Sequence, residues 1–168
     1  MKLDEIGLPP VEQVGYVVRD MDAALALYGP LFGPFVTMET TTKGANYRGK
    51  ICDVTLKLAI GLSGDTEIEL IQWVDGESPH REFIDQGREG IHHIRFGFDG
   101  VDEMQTVMDK LAAHGFEPIW DYRSRESSYA YLEHETQQGL LIELLTMAPE
   151  VKAGYEAWLA GVRTAGNG

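Results

Sequence analysis

The sequence is short of most devices that would narrow its biology at once. Its single cysteine, Cys52, rules out an internal disulfide, so a reducing compartment, the cytoplasm, is the expectation. Basic residues are scarce: 14 Lys and Arg stand against 27 Asp and Glu, for a formal net charge of -13. Such a balance disfavours nucleic acid and anionic membrane as partners. No apolar run reaches membrane-spanning length, and the first ten residues hold no apolar core of the signal type. What is present is 43% apolar residues in 168, enough for a sizeable core in one domain or two small fused units.

Apolar periodicity divides the chain into a repeated order of elements. Pro9-Pro10 excludes regular structure at the end of a lead-in arm. Residues 13–19 are strand-like, with Val14, Tyr16 and Val18 on one face. Asp20 to Asp22 is a helix N-cap signal, and residues 23–32 place Leu25, Tyr28, Leu31 and Phe32 on one side of a helix that Gly33-Pro34 stops. Strands are expected over 35–42, 51–60 and 66–74, with a polar loop at 41–50. Residues 75–90 form a junction with a short helix at 80–86. The order then repeats: strand 92–98, helix 101–114 with Val101, Met104, Val107, Met108 and Leu111 on its buried side, and strands 117–125, 129–133 and 140–146. A terminal helix at 149–162 and a frayed tail at 164–168 follow. The expected fold is therefore α+β, two tandem βαβββ modules at about 11–76 and 90–147, with a C-terminal helix and tail over 148–168.

Four polar residues occupy matching slots in the two modules. Gln13 and His93 open the first strand of each; Glu69 and Glu143 lie in the last. Glu143 sits in Leu141-Ile142-Glu143-Leu144-Leu145, where an unpaired carboxylate costs several kcal/mol. Two carboxylates, one imidazole and one amide oxygen suit a divalent ion with a position left for water or substrate. Taken singly, Gln13 reads equally well as a polar residue at a strand start, and His93 as a structural histidine. His93, Arg95 and Gly97 share the face opposite Ile94, Phe96 and Phe98, while His92 falls on the packed side. Tyr129 and Tyr131 alternate with Ala130 and Leu132, which makes them candidates to line a cleft. Tyr47 and Trp120 are candidate cleft walls, and His80, His114 and His134 receive no role.

The stretches Gln13 to Asp20, Ile68-Glu69-Leu70, Gly90-Ile91-His92-His93-Ile94 and Gly139 to Leu144 give the chain a recognisable pattern. Over residues 11–147 it resembles the vicinal oxygen chelate superfamily, most of all its methylmalonyl-CoA epimerase and glyoxalase I branches. The resemblance implies a cupped mixed sheet with a metal site in its cleft, ligated from the slots of Gln13, Glu69, His93 and Glu143. It implies a divalent ion (Zn, Co, Ni or Mn) and abstraction of a proton next to a carbonyl. Glu143 is the first candidate for the base, with Glu69 or Asp53 opposing it. The epimerase pattern has His in the first slot and this chain has Gln13, a choice shared with some glyoxalase I enzymes. The implied partner is a small molecule: an acyl-CoA, a thiol adduct or an aromatic compound. Arg95, Tyr129 and Tyr131 are the substrate-contact candidates, and Lys43, Arg48, Lys50 and Lys57 could receive coenzyme A phosphates. A homodimer is implied as well, with the terminal helix and Trp158 a candidate for its interface. A non-catalytic, resistance-type binding protein of the same fold is the alternative. An extradiol dioxygenase, which needs two His and one carboxylate, is disfavoured by Gln13.

Overall fold

The computed structural model describes residues 3–165. After a four-residue helix α1 (Leu3–Ile6), the first module runs β1 (Gln13–Val17), α2 (Met21–Phe32), β2 (Val36–Tyr47), β3 (Lys50–Ser63) and β4 (Thr66–Gly76). A short helix α3 (Pro79–Asp85) leads to the second module, β5 (Gly90–Phe98), α4 (Val101–Ala112), β6 (Phe116–Arg123), β7 (Ser127–His134) and β8 (Gln137–Met147). Helix α5 (Pro149–Ala165) closes the described chain and takes in Thr164 and Ala165, where the expected tail was to begin; the rest of that tail, 166–168, lies outside the described residues. The two βαβββ units expected from the sequence are both present.

The modules repeat one pairing scheme. β1 runs parallel to β4 and β5 parallel to β8, while β4, β3 and β2, like β8, β7 and β6, pair antiparallel in series. The halves join through the antiparallel β1–β5 pair and a short β2–β6 contact at Asn46 and Tyr47, closing eight strands into a barrel. Alternation along each strand then separates a barrel interior from two outer layers. Tyr16, Val18 and Leu70 face outward under α2, capped by the Asp20 side chain, which accepts from the Ala23 N–H at 3.1 Å. Phe96, Phe98, Leu132 and Leu144 pack outward under Met104, Val107 and Leu111 of α4. The interior holds Val17, Val54, Leu56, Ile71, Trp120, Tyr131 and Leu141, with Phe83 of α3 inserted among them.

Several expectations are corrected. β2 runs on through residues 41–47 instead of giving way to a loop, because a bulge between Thr42 and Ala45 absorbs Gly44, whose φ is +76°. Leu31 is 67% exposed rather than packed: the barrel side of α2 is set by Met21 and Ala24, and Pro30 lies within the same last turn. Val101, at the first position of α4, is exposed as well. The terminal helix forms as expected: α5 packs on its own barrel, with Val162 buried, Lys152 bonded to Asp99 and Arg163 to Asp65.

Candidate metal centre

The β1–β5 seam between the modules builds the site, and strand register decides who meets whom. Across β4, β1 and β5, Glu69, Gly15 and His93 lie abreast. One step along, Glu67, Gln13, Arg95 and Glu143 form a second row across β4, β1, β5 and β8. Gly15 leaves the space that the His93 ring occupies: a Cβ there would stand 2.1 Å from His93 Cε1. The ring lies over Gly15 and brings its Nε2 within reach of three oxygens. Gln13 Oε1 is 3.3 Å away, Glu143 Oε2 3.3 Å and Glu69 Oε2 3.7 Å. The four residues picked from the sequence thus converge on one point inside the barrel. His93 and Gln13 are fully buried, and the two carboxylates nearly so.

The electrostatics of this cluster are unbalanced. Burial, with a lesser push from the Arg95 charge, lowers His93 to about 3, so its ring is neutral near pH 7 with a lone pair available. Burial raises Glu69 to about 8, helped by the charge of Glu143. Burial likewise raises Glu143 to about 7 against the lowering influence of Arg95. A neutral imidazole, an amide oxygen and two carboxylates short of countercharge form a donor set for a borderline divalent cation. Ligand atoms bound at about 2.0–2.2 Å stand roughly 3–3.5 Å from one another, and the spacings around Nε2 come close to that. The residues present therefore fit a divalent metal.

Around these four stands a supporting shell that the sequence reading passed over. Gln13 Nε2 donates to Glu67 Oε2 at 3.0 Å, Arg95 Nη2 to Glu67 Oε1 at 2.9 Å, and the Tyr155 hydroxyl of α5 to Glu67 Oε2 at 2.7 Å. Glu67 was legible in principle, since it lies two residues before Glu69 and so shares its face. His92 is a correction. The register slips between Gly15 and Tyr16, so that Gly15 pairs with His93 and Tyr16 with Ile91. This bulge turns His92 into the barrel, where its Nδ1 lies 3.0 Å from Nδ1 of His93. For His93 to offer the Nε2 lone pair, its Nδ1–H must donate to His92. His80 joins them from α3, with its ring 4.8 Å from that of His92, and neither of its nitrogens has a hydrogen-bond partner. Its spacing from Phe83 on one helix face was the available signal. His80, His92 and His93 place ligand atoms within 4.8 Å of one another, a second set able to hold a metal through shared His93. That set is neutral, whereas the Gln13–Glu69–His93–Glu143 set brings the negative charge that a divalent ion offsets.

The remaining candidates are placed as follows. Tyr131 is buried against His93, with ring centroids 4.8 Å apart, and Tyr129 lies beside Trp120 with its hydroxyl 3.4 Å from Thr42 Oγ1. Arg95 is buried and bound to Glu67, which is neither of the carboxylates flanking His93. Asp53 does not join the cluster: it projects outward from β3, is exposed, and accepts the Gly44 N–H at 2.9 Å. Arg48 is held by Glu82 and Glu133, and Tyr47 donates to Glu82. Lys50 lies 4.0 Å from Glu77, and Lys57 pairs in register with Glu39. A cavity of about 210 Å³ lies beneath α5, between Arg95, Glu67, Phe98, Leu145 and Tyr155. No described helix is long and apolar enough to cross a membrane.

Comparison with solved structures returns the same architecture. Methylmalonyl-CoA epimerase from Mycobacterium tuberculosis superimposes with a TM-score of 0.60 at 21% identity, over 87% of this chain and 93% of the other. A variant of the Streptomyces coelicolor methylmalonyl-CoA epimerase, in complex with 2-nitronate-propionyl-CoA, gives 0.58 at 22% identity, over 85% and 97%. A hypothetical protein from Bacillus halodurans gives 0.56 at 23%, over 83% and 94%. At these identities the likeness is one of fold. No relative emerged from the comparison with curated proteins. A family model described as the glyoxalase/bleomycin resistance protein/dioxygenase superfamily matches residues 12–131, covering the first module, the second as far as β7, and three of the four clustered residues. With eight strands in two βαβββ halves around that cluster, the chain belongs to the glyoxalase/bleomycin resistance protein/dioxygenase superfamily.

Proposed function

We propose that the protein is a divalent-metal-dependent isomerase or lyase that removes a proton next to a carbonyl, in the manner of a methylmalonyl-CoA epimerase or glyoxalase I. The observation that carries this reading is the convergence of Gln13 Oε1, Glu69 and Glu143 on His93 Nε2 inside a closed barrel. A bound Zn, Co, Ni or Mn ion would be held by these four residues and would supply Lewis acidity to the carbonyl or enolate oxygen.

The chain's own groups account for the rest. Glu143 Oε2 is the base that takes the carbon-bound proton, and burial, which raises its affinity for protons, suits it to that task. Glu69, contributed by the other module, is the opposing acid that returns a proton to the other face or to the neighbouring carbon. Asp53, turned outward, is left out of this pair. The Arg95 charge, fixed by Glu67, favours the enolate over the neutral ketone or thioester. Tyr131 and Trp120 wall the site against water. The substrate class is an acyl thioester or thiol adduct entering beneath α5; the epimerase likeness and the complexed Streptomyces coelicolor relative support it. A homodimer in the cytoplasm belongs to the same proposal.

Elemental analysis of the purified protein, followed by deuterium exchange into methylmalonyl-CoA and into the hemithioacetal of methylglyoxal, tests it. Support is a stoichiometric divalent ion and exchange at the carbon next to the carbonyl, both lost in His93→Ala and Glu143→Ala. Protein that holds no metal after exposure to Zn, Co, Ni and Mn refutes it.

A further inference from the structure

Of the four residues around His93 Nε2, Gln13 is the one whose chemistry depends on which way it faces. Its side chain ends in one oxygen and one nitrogen, and only the oxygen can ligate a cation. We propose that Glu67 is a positioning residue that locks the Gln13 amide with its oxygen toward His93. This rests on the reading of Gln13 as a metal ligand, and the experiment below separates the two.

The lock is a hydrogen-bond argument. An ionised carboxylate accepts and does not donate. Glu67 Oε2 takes the Gln13 Nε2–H at 3.0 Å, and the opposite end of the amide then stands 3.3 Å from His93 Nε2. Turned over, Gln13 would set its oxygen against the Glu67 carboxylate and its N–H groups toward the metal position. Both residues are buried, so water does not relieve that mismatch. Glu67 is itself held at both oxygens, Oε1 by Arg95 Nη2 at 2.9 Å and Oε2 by the Tyr155 hydroxyl at 2.7 Å. Register supplies the alignment: β1 and β4 pair Gln13 with Glu67 and Gly15 with Glu69. Two carboxylates on one strand face thus divide the labour, one directed at the metal position and the next at its neighbouring ligand. This shell also ties α5 to the site through Tyr155.

The test exchanges the two chemistries. In E67Q the side chain keeps its shape but has a single acceptor, which the Arg95 charge draws to its own side. An amide nitrogen then faces the Gln13 nitrogen, and Gln13 turns over. Zn(II) and Co(II) affinities, read by competition with a chromophoric chelator, are expected to fall about 10–100-fold. In the double variant Q13E/E67Q, position 13 carries an oxygen at either end and position 67 donates to one of them. Q13E alone gains ligand charge, so the comparison is made against it: from Q13E to Q13E/E67Q the loss is expected to be clearly smaller than that from the unmodified protein to E67Q, because either end of the position-13 side chain can then ligate. If E67Q yields no folded protein, E67D carries the same comparison, because it keeps the charge beside Arg95 while drawing the acceptor away from Gln13. Unchanged affinity in the position-67 variant, or a loss from Q13E to Q13E/E67Q as large as that from the unmodified protein to E67Q, overturns the positioning role. Unchanged affinity in Q13A overturns instead the reading of Gln13 as a ligand.

Discussion

Replacing Gly15 by Ala puts a single methyl group where the site has least room for it. The ideal Cβ would lie 2.1 Å from His93 Cε1, 2.4 Å from Nε2 and 2.6 Å from Nδ1. Carbon atoms rest at about 3.5–4.0 Å, so the ring must retreat by roughly 1.4 Å or tip out of its plane. It has little freedom to do so, packed against Tyr131 and His92. Overpacking of this kind costs about 1–3 kcal/mol, which at this chain length lowers Tm by about 2–4 °C per kcal/mol. The effect on the centre is larger, because ligand distances tolerate only about 0.2 Å of error. Metal affinity, measured with the same chelator competition, is expected to fall at least about tenfold. Gly97→Ala is the matched control. Its Cβ would meet the Glu12 carboxylate at 2.3 Å, but that side chain is 46% exposed and can swing away. If G15A bound metal within twofold of the unmodified protein while keeping its Tm, the placement of His93 over Gly15 would be refuted.

Other outcomes follow from the same contacts. In metal-free protein, Glu69 and Glu143 are raised to about 8 and about 7, so above pH 6.5 the folded chain holds protons that the unfolded chain has lost. Stability is therefore expected to fall by roughly 1 kcal/mol between pH 6.5 and 8, the loss from the two carboxylates being partly offset by His80, His92 and His93, whose unfolded forms still release protons there. Below that window His80, His92 and His93, all pushed down by burial, act in the opposite direction, because the unfolded chain takes up protons that the folded chain does not. Chemical denaturation at a series of pH values checks this, and loss of the decline in Glu69→Gln/Glu143→Gln, leaving only the histidine-driven rise, assigns it. Leu132→Ala, at a fully buried position under α4, should cost about 2–5 kcal/mol in the same assay without changing the metal affinity. His93→Ala should abolish metal binding in equilibrium dialysis, since it removes the nitrogen around which the other three residues stand.

Much of the architecture is written in short-range patterns. Period-two alternation set Gln13 with Gly15 and His93 with Arg95, and the repeated strand–helix order brought the two pairs together at the β1–β5 seam. Glu143 was conspicuous because its neighbours are apolar. What escaped depended on phase and on distant partners. The bulge opposite Gly15 reverses the face of His92, and no local composition marks it. The bulge at Gly44 lets a polar stretch remain a strand. His80 and Tyr155 reach the site from helices whose docking is settled by the barrel: the spacing of His80 from Phe83 marked it as inward-facing without saying what it would meet, and nothing local marked Tyr155.

The centre draws Gln13 and Glu69 from one module and His93 and Glu143 from the other, on either side of the β1–β5 seam. Neither half owns a site. An ion held there would act as a clasp: whatever free energy it released on binding would be added to the joining of the halves, by RT ln(1 + [M]/Kd). Metal occupancy would then report the integrity of the seam, and a substitution that loosened β1 against β5 would weaken the ion's hold without touching any of the four residues.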